Sequence, residues 1–280
     1  MRINTLARKA SSAKRRVKRR IARWAAPAVE AELQDTKRKL RTTRSQLRET
    51  RARLAEATYA LPAEVEQTIA RTREEHLTYL KPTNLRELAS IVLDAETEHL
   101  PGLIVEAGTA LGGSAIVMAA AKSPERPMKV YDVFGMIPPP TEHDGPDVHE
   151  RYEKIVGGQA KGVGGDTYYG YRNDLYDEVT ESFSRLGVPA AEHNVELIQG
   201  LFEDTIQLDE PVAVAHLDGD WYESTMTCLT RIAPLLVPGG RIVLDDYYSW
   251  SGCRTAVDEY FADRDGFRLE RGAKLHVIRQ

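Results

Sequence analysis

Apolar positions along this chain change their period at about residue 60. Before that point Ile3, Leu6, Ala10, Ala13, Val17, Ile21 and Trp24 recur at three- and four-residue steps among arginines and lysines. That spacing predicts a basic amphipathic helix over 1–24, which Pro27 breaks or kinks. Leu33, Leu40, Leu47 and Leu54 then recur every seven residues, with Thr36, Thr43 and Thr50 in the companion seam positions. This reads as a short coiled coil weakened by its threonines, so residues 1–60 are expected to form an N-terminal helical arm. From about residue 62 the pattern predicts helices over 63–79 and 84–97, the second capped by Thr83. Short apolar runs then alternate with helical segments. Strands are expected over 102–106, 128–132, 195–199, 212–217 and 241–244. Helices are expected over 114–121, 172–186, 224–236 and 252–261, and 266–270 with 274–279 closes as an antiparallel pair. Such alternation argues an α/β fold with a doubly wound sheet over 61–280. Residues 133–171, with three consecutive prolines and many glycines, read as a long lid or binding loop.

Charge sharpens the division. The net charge is −4 over 280 residues, yet residues 1–60 hold 18 Lys/Arg against 5 Asp/Glu, and the remainder is acidic. A basic arm on an acidic body suits self-association through the leucines or adsorption to an anionic membrane surface. A basic stretch before leucine heptads has a superficial likeness to a DNA-reading zipper, but the poor seam and the large body behind it make nucleic acid an unexpected partner. Two cysteines, Cys228 and Cys253, without metal-ligand spacing, exclude a disulfide scaffold and a structural zinc site. With no membrane-length apolar run and no signal-peptide core, the expected location is the cytoplasm, with peripheral contact at the membrane's inner face.

The candidate chemistry lies at strand ends. Asp218 and Asp220 follow the run 212–217, and Asp245 and Asp246 follow 241–244. Carboxylates ending parallel strands converge on one sheet edge, where such folds bind ligands. They repel one another unless a cation or proton lies among them, and hard oxygen ligands suit Mg²⁺, Ca²⁺ or Mn²⁺. The first strand runs into IVEAGTALGGSAIVMA, where Gly108, Gly112 and Gly113 allow a tight turn and Ser114 opens a helix. Asp132 ends the second strand, where a carboxylate accepts ribose hydroxyls or else caps a turn. Together the loop and this acid point to an adenosine-containing cofactor. In the lid, His143 and His149 are acid–base candidates or plain surface residues. Tyr168, Tyr169 and Tyr171 line an acceptor pocket or pack the lid.

Taken in order, VEAGTALGGS, DVFGMIPPP, GLFEDT, LDGDWYEST and VPGGRIVLDDYYSWSGCRTAVDEY resemble the macrocin and novobiocin type of S-adenosylmethionine-dependent O-methyltransferase, over about residues 80–280. The resemblance implies a class I methyltransferase fold with a seven-stranded sheet, S-adenosylmethionine and Mg²⁺ as cofactors, and hydroxyls of sugars or glycosylated natural products as acceptors. By motif, Asp218, Asp245 and Asp246 are the implied metal ligands, with Asp220 on the same rim. Glu106, Gly108, Thr109 and Ser114 correspond to the cofactor loop, Asp132 to the ribose acid, and Phe202 with Glu203 to the adenine approach. Thr109-Ala110-Leu111 departs from the aromatic-and-Arg loop of the family. Asp218 or Asp220 is the expected general base, and Trp221 and Tyr222 pack on a sugar face or in the core. Two other readings compete: a hydroxylation-associated branch of the same fold, and a non-catalytic protein that binds membrane or nucleic acid.

Overall fold

The computed structural model describes residues 34, 36–40, 43 and 61–280. The chain divides into two compact units, 1–57 and 58–280. In the first, the described residues are helical and Leu40 is exposed. The expected basic helix over 1–24 lies outside the described residues, as do Leu33, Leu47, Leu54 and Thr50 of the expected leucine seam.

The second unit opens with helices α1 (Ala63–Glu74) and α2 (Pro82–Thr97). The first stops five residues short of its expected end. His76 takes a left-handed φ of 57°, and the Leu77 N–H turns back to the Thr72 carbonyl at 2.9 Å, which closes the helix. The second begins at Pro82, so Thr83 sits inside its first turn and caps nothing. There follow β1 (Leu103–Ala107), α3 (Gly113–Ala121), β2 (Met128–Asp132), α4 (Pro146–Val156), α5 (Leu175–Arg185), β3 (Val195–Gln199), the short α6 (Phe202–Thr205), β4 (Val212–Leu217), α7 (Tyr222–Ile232), β5 (Leu236–Leu244), α8 (Ser251–Phe261), β6 (Phe267–Arg271) and β7 (Leu275–Arg279). Strand β5 reaches back past the expected 241 across a register shift opposite Val212 and Val214.

The seven strands lie in the order β3-β2-β1-β4-β5-β7-β6. All neighbours are parallel except β7, which runs antiparallel to β5 and β6. Side-chain alternation feeds two cores. Ile104, Val130 and Val214 join α1, α2, α3 and α5 on one face. Leu103, Val105, Ala107, Ala215 and Leu217 join α7 and α8 on the other. The order reverses between β1 and β4, so the loops leaving those strands flank the crevice where an open α/β sheet binds its ligands.

The lid is structured. Residues 133–171 contain α4 and two 3₁₀ turns, Val163–Gly165 and Tyr169–Tyr171. Ile137, Val148, Ile155, Ala160 and Tyr168 form a small core of their own with Trp221. The segment is fastened at three points. The Trp221 indole N–H donates to the Pro138 carbonyl at 2.9 Å. The buried Asp144 carboxylate accepts the Tyr222 N–H at the start of α7. Asp147 accepts the Ser251 N–H and hydroxyl at the start of α8. Gly252 lets the strap come this close, because a Cβ there would stand 1.9 Å from Asp144 Oδ1.

Candidate active site

The first crevice wall is the turn after β1. Gly108 has φ +88°, and a Cβ there would lie 2.0 Å from the Asp218 carbonyl oxygen. Only glycine meets both demands. The Gly108 N–H donates to Tyr131 and the Asp218 N–H to Ala107, which zips the ends of β2, β1 and β4 together. Asp132 holds the next stretch: its Oδ2 accepts the Thr109 and Ala110 N–H groups at 2.8 and 2.9 Å, and its Oδ1 accepts Phe134 N–H at 2.7 Å. Burial raises its pKa, against the pull of these three donors.

A cleft with about 470 Å³ of empty space, counting the part open to solvent, runs along this edge. Gly108, Asp132, Phe202, Glu203, Asp218 and Asp220 all line it, together with Ile137, Pro138 and Tyr169 from the lid. Ser114 is buried in the first turn of α3 and Thr109 in the loop, and neither lines the cleft. Glu106 departs furthest from expectation. It is fully buried, and its carboxylate pairs with His216 Nδ1 at 2.8 Å rather than turning to the cleft.

The acids form two overlapping groups. Asp218, Asp220 and Asp246 each bring an oxygen within 4.8 Å of the others, and a His216 ring nitrogen lies as close to oxygens of Asp218 and Asp245. The expected ligand trio of Asp218, Asp245 and Asp246 is therefore not one cluster here. Asp245 is drawn aside by Lys274 Nζ, 2.5 Å from its Oδ2, while its Oδ1 lies 3.7 Å from His216 Nε2. Asp220 takes φ 56°, which aims its N–H at Asp246 Oδ2, and its Oδ1 accepts the Trp250 indole N–H at 2.9 Å. Backbone held in this region by a non-glycine residue is a feature of functional sites.

Electrostatics separate the four carboxyls. Burial and the charges of Asp245 and Asp246 push Asp218 well above the carboxylate range. Burial with Asp220 and Asp245 does the same to Asp246. Burial and Asp218 push Asp220 up to about 8. Asp245 goes the other way: burial opposes ionisation, but the facing His216 imidazole and the Lys274 ammonium outweigh it. Burial likewise opposes charge on His216, and Asp245 and Glu106 together raise it to about 10. One carboxylate is thus a fixed anion, and three repel each other unless protons or a cation intervene.

Other expected residues fall elsewhere. His143 stacks on Tyr222 and meets Glu223 at 3.1 Å, His149 meets the Thr141 carbonyl, and both are exposed and off the cleft. Trp221 is buried against the lid, and the Tyr222 hydroxyl donates to Glu259, so these two belong to the core and not to a sugar platform. Tyr168 and Tyr171 pack within the lid, whereas Tyr169 reaches the cleft. Sequence reading passed over His216, Lys274 and Trp250. The signal for His216 was present: Glu106 and His216 are the polar interruptions in two buried apolar strands, and they occupy opposed positions of the β1–β4 ladder.

A reversing parallel sheet with an antiparallel seventh strand and a glycine turn is the class I methyltransferase architecture, and its family match makes this chain an S-adenosylmethionine-dependent O-methyltransferase. Residues 26–267 match the family described as macrocin O-methyltransferase (TylF), and the chain belongs to that family. Demethyldecarbamoylnovobiocin O-methyltransferase of Streptomyces niveus is 30% identical over 210 residues, 67% of this chain and 72% of that protein. Mycinamicin III 3''-O-methyltransferase of Micromonospora griseorubida is 32% identical over 200 residues, 66% of this chain and 70% of that protein. Among solved structures, the O-methyltransferase NovP superposes with a TM-score of 0.60 at 25% identity, covering 75% of this chain and 87% of its own. The calicheamicin methyltransferase CalS11 shares the fold, at TM-score 0.55 and 20% identity over 82% of this chain and 91% of that one.

Proposed function

We propose that this enzyme methylates a hydroxyl of a sugar or glycosylated natural product and does so with a divalent cation, Mg²⁺ being the expected ion. The observation that carries the reading is the convergence of Asp218, Asp220 and Asp246 on the cleft that Gly108, Asp132, Phe202 and Glu203 also line. The acceptor class is supported by the relatives, which are named for methylating novobiocin and mycinamicin compounds.

Gly108 presents the backbone of the β1–α3 turn to the cofactor, and the buried Thr109 and Ser114 support that turn from behind. Asp132 receives the ribose on the lone pairs its three backbone donors leave free. Phe202 and Glu203 flank the adenine. Asp218 and Asp246, which already converge, would hold the cation, and Asp245 would complete the set by a small side-chain rotation. When bound, the cation supplies Lewis acidity that makes a neutral sugar hydroxyl a better nucleophile. Transfer is an in-line displacement: the new C–O bond forms as the C–S bond breaks, with the hydroxyl oxygen held about 3 Å from the methyl carbon. Asp220 takes the departing proton. The Trp250 N–H fixes one of its oxygens and leaves the other for the substrate.

Residues 1–60 extend the proposal on sequence grounds alone. They form an arm to the 61–280 methyltransferase domain, they associate two or more copies through the leucine seam, and their basic residues rest on an anionic membrane surface.

Chelator-treated enzyme, given labelled S-adenosylmethionine and candidate sugar acceptors, provides the test. The reading requires that methylated product vanish with chelator and return with Mg²⁺, and that Asp245→Asn abolish the return. Undiminished transfer by chelated enzyme or by Asp245→Asn contradicts it. A hydroxylated product without label points to the hydroxylation-associated reading instead.

A further inference from the structure

We propose that Glu106 and His216 are positioning residues of the cation site, holding Asp245 from behind, and that Glu106 does not touch the cofactor. This rests on the cation reading above and goes beyond it by assigning two residues that line no cleft. The two face each other on neighbouring parallel strands, and both side chains have no solvent exposure. Glu106 Oε1 holds His216 Nδ1 at 2.8 Å, which aims the opposite ring nitrogen at Asp245 Oδ1, 3.7 Å away. Lys274 holds the other oxygen of Asp245. The Asp245 carboxylate is therefore gripped between an imidazole that β1 orients and an ammonium from the start of β7.

Three atoms along this chain, Glu106 Oε2, His216 Nε2 and Asp245 Oδ1, are buried without a hydrogen-bond partner. Leaving buried polar atoms unsatisfied costs about 1–3 kcal/mol each, and apolar residues of similar volume would avoid it. A sheet centre that carries this cost for structure alone has no compensation. As a support for a ligand carboxylate it has one, because outer partners fix the orientation and basicity of groups that bind metal. The chain also spans the crevice: Glu106 stands two residues before Gly108 in the cofactor turn, and Asp245 stands on the far side of β4.

Calorimetric titration of the full-length protein with Mn²⁺ and, separately, with S-adenosylhomocysteine tests the assignment. Glu106→Gln and His216→Gln should weaken Mn²⁺ about 10–100-fold and leave S-adenosylhomocysteine affinity unchanged. A double Glu106→Leu, His216→Leu variant guards against misfolding, since an apolar pair restores a neutral sheet. It should melt no lower than wild type yet lose Mn²⁺ affinity to the same degree. Wild-type Mn²⁺ affinity in a folded double variant would overturn the proposal, as would weaker S-adenosylhomocysteine with unchanged Mn²⁺ in Glu106→Gln. Nitrogen bound directly to Mn²⁺ in spin-echo spectra would also overturn it, by making His216 a ligand. A wild type that binds S-adenosylhomocysteine but no Mn²⁺ would instead sink the cation reading, and this inference with it.

Discussion

Asp220 carries more constraints than its neighbours. Its left-handed backbone, its bond to Trp250 and its place between Asp218 and Asp246 support the role proposed for it, that of proton acceptor. Asp220→Asn should retain cofactor binding and lower kcat by about 10²–10⁴, the range for loss of a general base. Calorimetry with steady-state kinetics separates the two effects. Gly108→Ala should fail differently, with loss of thermal stability and of cofactor binding together, because its Cβ strikes the Asp218 carbonyl. Away from the site, His276 is a pH sensor of the fold. Burial, and then the charge of Arg241, lower its pKa to about 4. The folded state therefore favours neutral imidazole. That contribution is complete above the ordinary value near 6.5 and is lost as pH falls from there toward 4. Denaturant titrations should show roughly 1–3 kcal/mol of acid-induced loss from this group, and His276→Gln should flatten that part of the profile.

Between elements, the strap at 138–147 ties together the turns that follow the two acidic pairs. Asp144 and Asp147 cap α7 and α8 from outside those helices, which fastens the lid to the starts of both. Asp147→Ala should cost about 1 kcal/mol, as loss of an N-cap does, and should raise the acceptor KM more than the KM for S-adenosylmethionine. Equal shifts in both would mean that the strap does not shape the acceptor side. These contacts also show where sequence reading stopped. Strands β2, β3 and β4 were legible to the residue, because continuous buried runs bounded by turns leave little choice. Helix α4 was hidden among glycines and prolines. Its apolar anchors, Val148 and Ile155, are two in eleven residues, and they are buried by the lid's own small core. The acids were legible as a set, since strand-end carboxylates announce themselves. Their division into Asp218–Asp220–Asp246 and an anchored Asp245 was not, because Lys274 reaches Asp245 from nearly thirty positions away. Glu106 was misplaced for a related reason: a motif fixes a residue's position along a strand but not the neighbour it faces across the sheet.

At the scale of the molecule, the sheet brings glycine turn and acidic edge together where the order of its parallel strands reverses, β1 against β4. No helix among the described residues is long and apolar enough to cross a membrane. Residues 1–60 bring 18 Lys/Arg against 5 Asp/Glu, and at roughly 1 kcal/mol per near-surface basic residue the arm should bind vesicles rich in anionic lipid. Sedimentation should show that binding to fall steeply with salt and to vanish on neutral vesicles. Equal partitioning of full-length protein and a residue-61-onward form would contradict it. The central claim is narrower, that one cation sits among these carboxylates beside the methyl donor. A crystal structure with S-adenosylhomocysteine and Mn²⁺, read from the anomalous signal of the metal, tests it most directly. The account predicts one Mn²⁺ peak bound by Asp218, Asp245 and Asp246 next to the cofactor sulfur, with Asp245 turned from its present place by a small side-chain rotation. A sulfur bound in the cleft with no metal peak among those carboxylates would contradict it.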